Sequence, residues 1–167
     1  RHIYEDKEQQ LWIATDGSIN RYDYATRQFI HYNIVDNTGT YNTNWTYYIF
    51  EDTAGQLWIS TCLGGIFVVD KRKLMQSTSG QYIAEQNYSV HNGLSGMFIN
   101  QIIPDNEGNV WVLLYNNKGI DKINPRTREV TKLFADELTG EKSPNYLLCD
   151  EDGLLWVGFH GGVMRIN

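Results

Sequence analysis

The side chains with chemistry to offer are few, and they stand in loops. His91 lies in "HNGLSG" and His160 in "FHGG". An imidazole near the axis of a suitable fold serves as the base of a carbohydrate lyase, but a lone histidine among glycines equally fits a solvated turn. Asp136 and Glu141 share one loop. The variable loops hold no other pairing of carboxylates, no nucleophile beside a base, and no His/Cys/Asp/Glu cluster at metal-ligand spacing. Cys62 and Cys149 lie 87 residues apart in separate structural units, so a disulfide is not expected. No catalytic residue, cofactor or metal is therefore assigned.

A larger set of loop residues suits binding. Tyr41, Asn44, Trp45, His91, Asn92, Tyr115, Asn116, Asn117, Lys118 and His160 are aromatic, amide and imidazole groups with little concentrated charge. Rings stack on the apolar faces of sugars while amides bond to hydroxyls, so the mixture suits a neutral, hydroxylated ligand. Turns also require Asn and Gly for their own geometry. Trp45 is the informative member, because it stands outside the repeated tryptophan position described below.

Composition narrows the partners. A net charge of −6 and a sequence pI near 5.1 argue against nucleic acid, which demands a basic face. No Lys/Arg-rich stretch suits an anionic membrane surface. Apolar runs such as "LLWVGF" fall far short of the roughly 20 residues of a membrane helix. Aromatic residues at 13% fit pleated structure and sugar recognition alike, so they decide nothing alone. The chain begins at Arg1 and reads as a piece of a longer protein.

The elements that must carry these loops repeat. "DKEQQLWIAT", "DTAGQLWIST", "DNEGNVWVLL" and "DEDGLLWVGF" each place an acid six residues before a tryptophan. The acids are Asp6, Asp52, Asp105 and Asp150; the tryptophans Trp12, Trp58, Trp111 and Trp156 follow at intervals of 46, 53 and 45 residues. Gly55, Gly108 and Gly153 occupy the turn position that Gln9 takes in the first copy. Asp bonding back to its own backbone and Gly at positive φ make a tight hairpin, and the tryptophan is a wedge between neighbouring units. An EF-hand calcium loop is excluded at this turn, since the distal Glu is missing and a hydrophobic strand follows at once.

Each copy reads as four short strands, with no sustained helical period anywhere. The tryptophan strand is apolar on both faces, so each small sheet is covered on both sides. The expected fold is all-β: a propeller segment of about four four-stranded antiparallel blades, at 1–36, 37–93, 94–139 and 140–167, the last with three strands. Open ends would expose apolar blade faces, so either further blades or a second copy of the chain is expected to cover them, the latter as a homodimer. With strands lettered A to D outward from the axis, the uniform A–B turns and the short C–D turns form a scaffold face. The irregular B–C and D–A loops, which hold all the binding candidates, form the other.

From Asn92 to Thr127 the stretch "NGLSGMFINQIIPDNEGNVWVLLYNNKGIDKINPRT" resembles the two-component regulator propeller repeat, matching it at Gly93, Leu94, Ser95, Asp105, Gly108, Trp111, Gly119 and Ile120. Asp52, Gly55, Leu57, Trp58, Ile59, Thr61, Gly65 and Ile66 match it in the second copy. Gln9 and "LLY" depart locally. The shared positions are scaffold, so no ligand residue carries over. The resemblance implies a periplasmic sensor region of a hybrid two-component system anchored in the inner membrane, with the kinase elsewhere. Such a region would detect an oligosaccharide and control polysaccharide-utilisation genes. A propeller-fold carbohydrate lyase or hydrolase and a protein-interaction platform are the alternatives.

Overall fold

The computed structural model describes residues 1–115, 119–133 and 143–166. Blade 1 comprises β1 (Ile3–Glu5), β2 (Leu11–Thr15), β3 (Ser18–Asp23) and β4 (Gln28–Tyr32), and β5 (Ile34–Val35) follows it. Blade 2 comprises β6 (Thr46–Glu51), β7 (Gln56–Thr61), β8 (Ile66–Asp70) and, after α1 (Lys71–Gln76) and β9 (Tyr82–Ile83), β10 (Gln86–Tyr88). Blade 3 holds β11 (Ile99–Pro104), β12 (Val110–Leu114), β13 (Ile120–Asn124) and β14 (Glu129–Leu133); blade 4 holds β15 (Pro144–Cys149), β16 (Leu155–Phe159) and β17 (Gly162–Ile166).

Each blade is an antiparallel meander in chain order, giving sheets of four, four, four and three strands. The first strands β1, β6, β11 and β15 pack against one another, which makes them the inner strands of a propeller. Period-two alternation then fills both blade faces. In blade 2, Ile49, Leu57, Ile59, Phe67 and Val69 turn towards Trp12 and Ile19 of blade 1. Their neighbours Phe50, Trp58, Ile66 and Val68 turn towards Ile102, Val110 and Val112 of blade 3. The two-sided apolar pattern of the tryptophan strand is thus the imprint of a neighbour on each side.

The repeated acid does more than form its turn. One oxygen of Asp52 accepts the backbone N–H groups of Ala54 and Gln56, both at 2.9 Å, while the other accepts the Trp58 indole N–H at 2.9 Å. Indole bonds from Trp12, Trp111 and Trp156 to Asp6, Asp105 and Asp150 repeat this at 2.9, 3.1 and 2.6 Å. A six-residue spacing brings the carboxylate across the hairpin onto the ring it orients. The indole N–H, which burial would otherwise leave without a partner, is satisfied in every blade.

Blade 2 departs from the expected pattern. Its C–D connection is not a short turn but the segment Lys71–Glu85, with a helix where no helix was read. Asp70 caps that helix by accepting the Lys73 N–H at 3.0 Å, and Leu74 anchors it in the core. Strand β9 then pairs in parallel with β5, clipping the exit of blade 1 to blade 2. The helix also delivers Lys71, 1% exposed, to Glu51 at 2.9 Å and Asp6 at 3.1 Å. Burial would push this ammonium down, but the two carboxylates outweigh it and its pKa is raised. Asp6 is likewise pushed up by burial, yet the Trp12, Gln10 and Lys71 donors bring it below the ordinary carboxylate value.

Candidate functional site

The B–C and D–A loops gather three clefts on one face. The first, of 480 Å³, is lined by Asp36, Tyr41, Glu85, Gln86, His91 and Asn92 among others. The β5–β9 clip holds the two segments that line it: Thr43 N–H donates to Ile34 O, and Ala84 N–H to Val35 O. Asp36 organises the rim, accepting the Tyr41 N–H at 2.9 Å and the Thr38 hydroxyl at 2.5 Å. Burial pushes Asp36 up, but these donors hold it below its ordinary pKa, so it is an ionised structural anchor.

Tyr41 hydroxyl and His91 Nε2 meet at 3.1 Å across the mouth of this cleft. Asn92 lines it too, but its amide is consumed locally: the oxygen accepts the Ser89 N–H and the nitrogen donates to Asn87 O, both at 2.6 Å. It closes the capping box of the turn Val90–Asn92.

The second cleft, of 380 Å³, takes Tyr41, Asn44 and Trp45 together with Asp16, Leu63 and Gly64. Thr40 and Tyr41 line both clefts, so the two adjoin. Trp45 has φ 57°, a region that bulky residues rarely enter, and it is 48% exposed. Its N–H donates to Asp16 O of blade 1 at 2.8 Å, and its carbonyl accepts from Cys62 N–H of blade 2 at 3.0 Å. The backbone is thus pinned on both sides while the ring stays open to solvent. A strained, exposed aromatic held by its surroundings is a pointer to function.

Tyr115 lies in a third cleft, of 320 Å³, with Tyr47, Cys62, Phe98, Ile99 and Asn100. Tyr47, Phe98 and Asn100 were not anticipated. Their signal was the register: Tyr47 and Asn100 sit where the inner strands bulge against their partners, and bulges re-aim side chains. Phe98 precedes β11 as Trp45 precedes β6. His160 is exposed on the turn between β16 and β17 and lines none of these clefts. Asn116, Asn117 and Lys118, with Asp136 and Glu141, lie outside the described residues. Cys62 and Cys149 are both free thiols.

On the opposite face, the lining of the fourth cleft includes Glu8, Glu51 and Lys71, which pair with one another, along with Lys7, Asp70 and Arg72. The three clefts of the loop face thus present aromatic rings and amides, with ionised groups mainly at the edge of the first.

The family model "Two component regulator propeller" matches residues 93–116. Two structures of the extracellular domain of BT4673 from Bacteroides thetaiotaomicron, described in one case as a hybrid two-component system and in the other as a one-component system, match at 99% identity and TM-score 0.96. They align with 100% of this chain, which spans only 23% and 22% of theirs. The extracellular domain of BT3049 from the same organism matches at 21% identity and TM-score 0.73, over 99% of this chain and 21% of that one. A streptogramin B lyase matches at 16% identity and TM-score 0.71, over 99% and 49%; likeness at these last two levels shows the propeller fold alone. No curated protein matches the chain. Residues 93–116 thus carry a two-component regulator propeller repeat, and the whole chain aligns with part of an extracellular domain.

Proposed function

We propose that this segment is the ligand-sensing part of a hybrid two-component sensor, and that it reads an oligosaccharide on the loop face. The observation that carries the reading is Trp45, its backbone pinned at positive φ between two blades and its ring left open beside Asn44 and Tyr41. A ring fixed in place costs little entropy on binding, and adjacent amide and phenol groups supply directional bonds to hydroxyls. The kinase lies elsewhere in the longer protein, and further blades of that protein cover the apolar faces of blades 1 and 4. Because Trp45 bonds to loops of both blade 1 and blade 2, a ligand there is in contact with an inter-blade junction. It shifts a conformational equilibrium by its difference in affinity between the two packings, and the outcome is control of polysaccharide-utilisation genes.

The test uses the complete extracellular domain with a panel of neutral and acidic oligosaccharides, reading the melting temperature and then the mass of the recovered sugars. One sugar class should raise the melting temperature and be recovered intact, and Trp45→Ala should abolish the shift. Shortened or unsaturated sugar would make the protein a hydrolase or lyase instead. If no sugar shifts the transition, the ligand reading fails.

A further inference from the structure

The third cleft repeats the construction of the second, one blade further round. In the second, Cys62 N–H donates to Trp45 O at 3.0 Å, just ahead of the bulge at Tyr47 in β6. In the third, Tyr115 N–H donates to Phe98 O at 2.9 Å, just ahead of the bulge at Asn100 in β11. The same backbone device therefore presents an exposed aromatic before the inner strand of two successive blades, with Phe98 41% and Tyr115 60% exposed.

The two clefts are neighbours along blade 2. Trp45 and Leu63 line the second, whereas Tyr47 and Cys62, their close chain neighbours, line the third. A single ridge of blade 2 separates them, and Trp45 and Leu63 are both exposed on it. Among the described residues, no Asp, Glu, Lys or Arg lines the third cleft. The Arg1 guanidinium lies 4.6 Å over the Tyr47 ring and is ion-paired with Asp16. Among the described residues, the Asn100 side chain makes no hydrogen bond that would occupy its amide.

We propose that the ligand track runs on from Trp45 across blade 2 into the cleft of Tyr47, Phe98, Asn100 and Tyr115. The segment then takes an extended, linear, uncharged carbohydrate chain rather than a mono- or disaccharide. This rests on the oligosaccharide reading above. Each cleft is larger than the lower bound of about 300 Å³ typical of small-molecule sites, so one or two sugar units would leave part of the track empty. Rings spaced along a surface favour a chain that offers an apolar face to each in turn.

The experiment is isothermal titration of the complete extracellular domain with length ladders, monomer to octamer, of neutral gluco-, galacto-, manno-, xylo- and arabino-oligosaccharides. Wild type, Trp45→Ala and Tyr115→Ala are compared, each checked for an unchanged melting temperature without sugar. For one ladder, wild-type affinity should rise with length to a plateau. Trp45→Ala should weaken every length, whereas Tyr115→Ala should spare the disaccharide and weaken the longest oligomers about tenfold. If Tyr115→Ala changes no length while Trp45→Ala changes all of them, the track is overturned and the sensor reading stands. If affinity is already maximal with the disaccharide, the track is likewise overturned. If no ladder binds, both readings fall together.

Discussion

The two faces of this propeller segment are built from the same blades and obey opposite rules. On the A–B turn face, one carboxylate per blade accepts backbone N–H groups and an indole at once, and Lys71 closes a buried cluster between blades 1 and 2. On the loop face, Trp45, Phe98 and Tyr115 stand in solvent, and Trp45 sits on a strained backbone. One face spends its carboxylates on its own turns, rings and ammonium; the other leaves aromatic rings open to solvent. Substitutions on the first should therefore move stability, and those on the second should move binding.

The largest effect should come from Lys71→Met. Removing the ammonium leaves Glu51 and Asp6 buried together without their cation, which costs about 3–5 kcal/mol. Denaturant unfolding of the complete extracellular domain would register it as an early transition. Acid sharpens the assignment. In the wild type Asp6 titrates below 3.8, so its contribution is present above that pH and is lost as pH falls through the lower folded value. Lys71 titrates above 10.5, so its contribution is present below that pH and lost as pH rises through the higher folded value. In Lys71→Met burial acts on Asp6 without its cation, the Asp6 folded pKa rises, and stability should instead increase as pH falls towards about 4. Equal slopes in the two proteins would mean that the cluster is not what joins the blades.

Next in size is Asp52→Ala, which strips two backbone donors and the Trp58 indole of their shared acceptor. The cost should be about 2 kcal/mol. Asn44→Ala, on the loop face, should stay within about 0.5 kcal/mol. Comparable losses for the two would erase the distinction between the faces.

Trp45→Gly tests the loop face directly. Glycine adopts φ 57° without strain, so unfolding stability should hold or rise by up to about 1 kcal/mol. Affinity for the sensed sugar should nevertheless drop by about tenfold or more, read by calorimetry on the same samples. A stability loss like that of Asp52→Ala would make Trp45 a scaffold residue.

How much of this could be read from the sequence follows the same division. The blades were legible because each Asp-to-Trp unit is local: the acid, the turn and the ring lie within seven residues and recur with fixed spacing. The two-sided core was legible from the unbroken apolar strands. The excursion Lys71–Glu85 was not, because β10 returns to β8 across an inserted helix, and its strand β9 pairs with β5, about fifty residues back along the chain. Lys71 stands in "KRK", where nothing in the sequence separates it from the two charges that follow it. Tyr41, Trp45 and His91 were legible as aromatic and imidazole residues in irregular loops. Tyr47 and Asn100 were hidden, since only the bulge register separates them from the strand residues beside them.

The smallest effect concerns the one turn that breaks the repeat. Gln9 holds φ 61° where Gly55, Gly108 and Gly153 hold 79°, 84° and 81°. A left-handed backbone costs a residue with a Cβ about 1–2 kcal/mol, and glycine's extra freedom when unfolded returns about 0.5–1 of that. Gln9→Gly should therefore stabilise by about 0.5 kcal/mol. Gly55→Gln should cost about the same, since a Cβ there meets only the Glu51 carboxylate at 3.8 Å. Opposite and similar shifts would show that the four turns are interchangeable scaffold. If Gln9→Gly destabilises instead, Gln9 contributes a contact of its own, and the turn of blade 1 is not merely a worn copy of the others.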